Sequence, residues 1–202
     1  MKRLSLIAIF VLSSFTLHAQ HNHGADATLK AGEISGHSLY HLDADFTDQR
    51  NKSLKLSSFK GQPVIVVMFY GNCTQVCPIL IRDTWRLYNA VDEILRPSVK
   101  VLAVSFDTEN DTPEVLKAYA EYEQLNIDGW HFATSEPTNV RSLAMMLGVQ
   151  YAKKSDGEFA HSNLVSVLDT EGKIAKRIEG LNQPMEEAAH HIEQMLTKNV
   201  EQ

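Results

Sequence analysis

The apolar positions of this 202-residue chain alternate between strand-like runs and helix-like stripes. "PVIVVMFY" (63–70) is continuous and rich in β-branched residues, which predicts a strand buried on both faces. "VKVLAVSFD" (99–107) predicts a second such strand. Behind the first, Ile79, Leu80, Trp85, Leu87, Tyr88, Val91, Ile94 and Leu95 recur at helical spacing over 79–95. Behind the second, "DTPEVLKAYAEYEQL" (111–125) opens with an Asp or Thr cap and carries Pro113 in its first turn, a helix start. "WHFAT" (130–134) reads as a short strand, and "EPTNVRSLAMMLG" (136–148) as a helix stopped by Gly148. "SNLVSVLD" (162–169) and "KIAKRIEG" (173–180), joined by "TEG", read as a hairpin, and "PMEEAAHHIEQMLTK" (184–198) as a final amphipathic helix. Ahead of these, 37–48 and 51–59 predict an N-terminal β-hairpin turning near Gln49–Lys52, followed by a short helical turn ending at Gly61. The order βα, βα, βα, ββ, α implies an α/β fold, a central mixed sheet with helices on its faces.

The N-terminus changes the compartment. "MKRLSLIAIFVLSSFTLHA" has two basic residues, an apolar run from Leu4 to about Leu17 and then small Ala19, the layout of a secretory signal peptide over 1–19. The run is short for a bilayer span of about 20 residues, so membrane contact is expected only if the segment is retained as an anchor. No cysteine follows it to carry a lipid. The expected location is outside the cytoplasm, in a bacterial periplasm, with inner-membrane anchoring as the variant. Residues 20–35 read as a polar flexible leader, and 36–202 as one domain with a sizeable core. Cleavage removes Lys2 and Arg3 and no acid, which leaves 17 basic against 25 acidic residues and moves the net charge from −6 to −8. An acidic chain without basic runs argues against a nucleic-acid partner.

Both cysteines, Cys73 and Cys77, lie in "FYGNCTQVCPIL", between the first buried strand and its helix. Ligands bind at that C-terminal edge in open α/β sheets. Pro78 disfavours helical geometry at Cys77 and presets the first helical turn. Both sulfurs are therefore expected near a helix N-terminus, whose partial positive charge favours thiolate. A staple, a redox couple and a metal clamp all remain open. A disulfide across so short a loop removes only about 2 kcal/mol of chain entropy, against about 4–5 for a 100-residue loop, which weakens the staple reading.

At this point the chain resembles the Sco/SenC family, thioredoxin-like copper-handling proteins tied to cytochrome c oxidase assembly. "YGNCTQVCP" is similar to its C-x-x-x-C-P signature, and "FTDQRNKSLKLSSFKGQPVIVVMFY" to the run-in to it. "VSFDTENDTPEVLKAY" is similar to its second strand and following helix. "FAHSNLVSVLDTEGKI" is similar to the segment carrying its metal-binding histidine, which maps onto His161. Thr74 and Thr108 stand where many members have proline. The resemblance implies a thioredoxin-like fold and a copper site, Cu(I) or Cu(II), built from Cys73, Cys77 and His161. Two soft thiolates and one imidazole suit copper, although zinc accepts the same donors. It further implies a metallochaperone that hands copper to a receiving protein, a cytochrome c oxidase subunit. The alternative is a thiol–disulfide oxidoreductase in which Cys73 and Cys77 form the redox pair that reduces such a partner. A peroxidase fits less well, because the second thiol is too near to resemble a distant resolving cysteine.

The remaining candidates read as ordinary. His21 and His23 lie in the polar leader "QHNHGAD", where a freed amine and two imidazoles would bind copper or nickel weakly. His190 and His191 read as surface residues of the last helix, and His37, His41 and His131 have no arguable partner. Met145 and Met146, beside Leu143 and Leu147, read as core. Asp107, at the end of the second buried strand, is expected to shape a loop near the motif without being a ligand.

Overall fold

The computed structural model describes residues 29–33 and 36–198. The signal segment 1–19 and the His21/His23 pair lie outside the described residues. The strands, in chain order, are β1 (Asp45–Asp48), β2 (Ser53–Lys55), β3 (Val64–Phe69), β4 (Lys100–Ser105), β5 (Trp130–Thr134), β6 (Tyr151–Lys153), β7 (Phe159–His161), β8 (Leu164–Leu168) and β9 (Ile174–Glu179). The helices are α1 (Cys77–Ala90), α2 (Pro113–Tyr122), α3 (Pro137–Leu147) and α4 (Glu186–Lys198). Seven strands form one mixed sheet in the order β2-β1-β5-β4-β3-β8-β9, and β6 and β7 form a separate two-stranded sheet. Every residue of β3 is buried, as the unbroken apolar run requires of the strand at the centre of a sheet covered on both faces.

The ladders decide which loops meet. β3 runs parallel to β4 from Val64↔Lys100 to Phe69↔Ser105, so the loops that follow the two strands leave the same edge. β3 runs antiparallel to β8, from Val64↔Leu168 to Val67↔Val165, so the entry to β8 arrives where β3 ends. Thr112 caps α2 by accepting from the Val115 N–H, with Pro113 as the first helical residue, and Gly148 ends α3 in the left-handed region at φ 73°. An added Cβ at Gly148 would stand 2.6 Å from the Gly32 carbonyl oxygen, which demands glycine there on both counts.

Several expectations need correction. Pairing of the N-terminal hairpin is confined to β1 and β2, and Leu39–His41 before it is a 3-10 turn. Cys77 is the first residue of α1 despite the proline after it; the Val76 carbonyl already accepts from Leu80 N–H, so the helical hydrogen bonding starts at that point. The first helix stops at Ala90 and not at Leu95. Val91 turns extended, the Asp92 carboxylate accepts from Ile94 N–H at 2.8 Å, and Ile94 is 87 % exposed. Met145 is 70 % exposed while Met146 is half-buried against the core, so only the second behaves as its spacing suggested. Residues 29–33, read as part of a flexible leader, are docked: Leu29 N–H donates to the His161 carbonyl at 3.0 Å and Gly32 N–H to that of Gly148 at 2.7 Å. No helix among the described residues is long and apolar enough to cross a membrane.

His131 has a partner that the sequence did not disclose. Its Nδ1–H donates to the buried Asp48 carboxylate at 3.2 Å. Burial pushes the His131 pKa below its ordinary 6.5, against the upward pull of Asp48, so the ring is neutral and the contact is a hydrogen bond more than an ion pair. Burial raises Asp48 as well, but the Lys52 N–H, the His131 ring and the Arg50 N–H outweigh it and hold that carboxyl below its usual range. A base depressed in the fold leaves the unfolded chain with more bound protons below pH 6.5, so stability falls as pH drops through that value. We expect the stability difference between wild type and His131→Gln, from denaturant unfolding, to be flat above about pH 7.5 and to shift in favour of the variant below about 6.5. A difference unchanged from pH 5 to 8 refutes this account.

Candidate metal and redox centre

The three candidate residues come from two sides of one sheet edge. The chain leaves β3 at Phe69, and Cys73 N–H donates to the Tyr70 carbonyl at 3.3 Å in a tight turn. It then reaches Cys77, whose N–H donates to the Cys73 sulfur at 3.3 Å. His161 closes β7, three residues before β8 begins. The antiparallel β3–β8 pairing therefore delivers the ring to the thiols: Cys77 Sγ stands 3.4 Å from His161 Nε2, and the ligand atoms of Cys73, Cys77 and His161 all lie within 4.8 Å of one another. All three are buried, with 6 %, 0 % and 1 % of their surface exposed, and both thiols are free.

The histidine tautomer follows from its other contact. His161 Nδ1 lies 3.1 Å from the Ser162 carbonyl oxygen, which can only accept. The proton therefore sits on Nδ1, and the Nε2 lone pair faces the sulfurs, the form a metal ligand needs. The two thiols are unequal. The Cys77 thiol donating to it draws the Cys73 pKa down, helped by the N–H groups of Cys77 and Gln75, against the opposing effect of burial. Burial pushes Cys77 up, and the neighbouring Cys73 charge adds to that. The helix N-terminus thus favours one thiolate, on Cys73, where the sequence led us to expect it at both.

The donor set fits a metal ion. Bonds of about 2.3 Å to sulfur and about 2.0 Å to imidazole nitrogen hold neighbouring ligand atoms roughly 3.5–4 Å apart. The 3.4 Å sulfur–nitrogen separation and the 4.8 Å ceiling match that spacing after small side-chain shifts.

Asp107 stays outside the cluster. Its carboxylate accepts from the Asn110 side-chain amide at 3.0 and 2.8 Å, and its carbonyl from the Asn110 and Asp111 N–H groups, which shapes the β4–α2 loop. Asp111, which the sequence offered as a helix cap, does something else. It is buried, and its Oδ2 accepts from Gly71 N–H at 2.7 Å and from the Ser105 hydroxyl, tying the cysteine loop to the end of β4. Gly71 is required here, since a Cβ would stand 2.8 Å from Asp111 Oδ1. The available signal was an acid just past a buried parallel strand with a glycine past the neighbouring one. His190 is exposed and pairs weakly with Glu193, and His191 is half-buried on α4; neither reaches the cluster.

Residues 34–197 match the SCO1/SenC family model. The SCO1 protein homolog of Bacillus subtilis (strain 168) is 26 % identical over 156 residues, 75 % of this chain and 80 % of that protein. Bradyrhizobium japonicum ScoI, solved with copper bound, superposes with a TM-score of 0.61 at 24 % identity, covering 76 % of this chain and 97 % of its own. BsSco, described with a disulfide switch and as a member of the Sco family of cytochrome c oxidase assembly proteins, gives 0.66 at 24 %, covering 82 % and 97 %. The fold is accordingly thioredoxin-like.

Burial raises the Asp111 pKa against the lowering effect of its Ser105 and Gly71 donors, with the Asp107 charge adding to the rise. An acid raised in the fold costs stability once pH climbs past its unfolded value near 4, and the cost is complete above its folded value. We expect Asp111→Ala to lose about 2 kcal/mol, because it orphans the Gly71 N–H and the Ser105 hydroxyl. Asp111→Asn keeps an acceptor and sheds the charge, and should lie within about 1 kcal/mol of wild type at pH 7. Equal losses in both variants, by denaturant unfolding, would show that the hydrogen bonds do not set the cost.

Proposed function

The chain belongs to the SCO1/SenC family, and we propose that it is an exported protein that binds one copper ion through Cys73, Cys77 and His161 and delivers it during assembly of a copper enzyme, a cytochrome c oxidase. The observation that carries this reading is the buried convergence of two sulfurs and an Nε2 lone pair within 4.8 Å. Soft sulfur donors select Cu(I), and the imidazole tolerates Cu(II). Export rests on the secretory pattern of residues 1–19, and the choice of copper and of an oxidase recipient rests on what the related proteins bind and assemble. Three protein donors leave room for a recipient's ligand to join the ion before it departs.

Metal uptake displaces the Cys77 proton, and no copper can be held by sulfurs joined as a disulfide. The reduced protein should bind one equivalent of copper. Cys73→Ser, Cys77→Ser and His161→Ala should each weaken binding by about two orders of magnitude or more. Oxidation should abolish the binding and reduction restore it. Titration with a competing chelator reads all of these, and a double cysteine variant with wild-type Cu(I) affinity would remove the assignment.

One observation favours a second reading, reduction of a partner's disulfide: the low Cys73 and high Cys77 pKa values suit an attacking thiolate and a resolving thiol. In that reaction Cys73 forms a mixed disulfide, and Cys77 then attacks it. The Cys73–Cys77 bond forms as the partner leaves with two electrons and the Cys77 proton, as one thiol and one thiolate, the thiolate taking any second proton from water. His161 separates the two readings, because exchange needs no third ligand. We expect His161→Ala to open and close its disulfide within about tenfold of the wild-type rate, while failing to mature a copper oxidase. Full maturation without copper binding would make thiol reduction the task.

A further inference from the structure

His161 and the cysteines hang from different parts of the fold. The cysteine loop issues from β3 in the seven-stranded sheet, whereas His161 ends β7, which pairs only with β6, from Tyr151↔His161 to Lys153↔Phe159. Between the β6–β7 hairpin and the cysteine loop stands Tyr70, beside Phe106, whose ring lies 5.2 Å from that of His161. Tyr70 is buried, with its ring 5.1 Å from that of Phe159, 5.5 Å from Phe106 and edge-on to His161 at 6.3 Å. Its hydroxyl donates to the carboxylate of Glu158, at the end of the hairpin turn where Gly157 takes φ 89°. Glu158 is itself held in that turn, its carbonyl accepting from Lys154 N–H at 2.7 Å and its N–H donating to Asp156 at 3.0 Å. The exposed Lys153–Glu109 pair also ties this hairpin to the β4–α2 loop, and it contributes little.

We propose that Tyr70 and Glu158 form a latch that positions His161 against the two sulfurs, and that breaking it swings the hairpin outward and lowers the barrier to metal release. The latch rests on the copper reading above for its purpose but not for its geometry. A phenol donating to a carboxylate is a charge-assisted hydrogen bond, stronger than a neutral one, and it is half-buried here. It joins residues 88 positions apart, one three residues before Cys73 and the other three before His161. A shift of about 1 Å at His161 would carry Nε2 beyond bonding reach of a metal held by the sulfurs. Tyr70 and Glu158 are positioning residues: the ligand atoms are those of Cys73, Cys77 and His161, and the Tyr70 side chain touches the cluster only as a hydrogen-bond partner of Cys73.

The test uses Tyr70→Phe, which keeps the ring and loses the hydroxyl, Glu158→Ala, the double variant, and Glu158→Gln, which keeps an acceptor. Two readouts need no metal: hydrogen exchange of the 151–161 amides and alkylation of the fully buried Cys77 in the reduced protein. The third is the rate at which a chelator strips Cu(I). We expect Tyr70→Phe and Glu158→Ala each to raise all three about tenfold, the double variant to add no more than twofold beyond either, and Glu158→Gln to lie near wild type. Exchange outside the hairpin should not change. Rates within twofold of wild type in both single variants, fully additive effects in the double, or loosening spread across the whole sheet would each overturn the latch. A wild-type protein that takes up no copper would instead strike the metal reading, while the two metal-free readouts would still decide the latch.

Discussion

The burial of β3 on both faces is the constraint from which the site follows. Val64–Phe69 can satisfy its backbone only between two other strands, and the partners it takes have opposite directions: β4 parallel, β8 antiparallel. Parallel pairing sends the loops after β3 and β4 out of one edge, which sets Gly71 against Asp111. Antiparallel pairing brings the chain into β8 at that same edge, which sets His161 against Cys77. Residues 84 positions apart in sequence meet because one strand cannot be left unpaired.

Within that frame the chemistry is settled by small contacts. The Ser162 carbonyl fixes the His161 proton on Nδ1. The Cys77 N–H at the start of α1 supports a thiolate on Cys73, and burial keeps the proton on Cys77. The pocket therefore carries one negative charge in a poorly solvated place, a compromise between two uncharged thiols and two thiolates that burial would penalise. The same asymmetry serves a disulfide reaction, so the thiols alone do not choose between metal and exchange; the aimed Nε2 lone pair weighs toward metal.

The parts of this fold that could be read from sequence are those whose apolar pattern had one physical solution. β3, β4 and the β8–β9 hairpin are long, branched or turn-bounded, and α2 and α3 carry Pro113 and Gly148 at their ends. Cys73, Cys77 and His161 could be named because the cysteines sit at a strand-to-helix edge and the flanks resemble a family. What stayed hidden depended on partners distant in sequence. The "YAKKSDGEFAH" hairpin is too short and too charged to show a strand period. Asp111 looked like a cap because helix starts and buried loop ties use the same residue type. Asp48 and His131, 83 positions apart, carry no local sign of each other. Ile94 continued a helical stripe that an Asx turn at Asp92 had already ended.

The proton on Cys77 gives the site a further property. A metal ion must displace it, and the energy that burial and the Cys73 charge invest in keeping it is subtracted from the affinity. Two thiolates around Cu(I) leave one net negative charge in the pocket, the same as in the metal-free state with Cys73 ionised and Cys77 protonated. Cu(I) for H⁺ is then an exchange of one monovalent cation for another, with no change in buried charge. Cu(II) adds a positive charge beyond that exchange and brings the pocket to neutrality. A site built on this balance would accept copper in either state without rebuilding its surroundings. On the delivery reading proposed above, the ion would pass to a recipient that offers thiolates already free of protons.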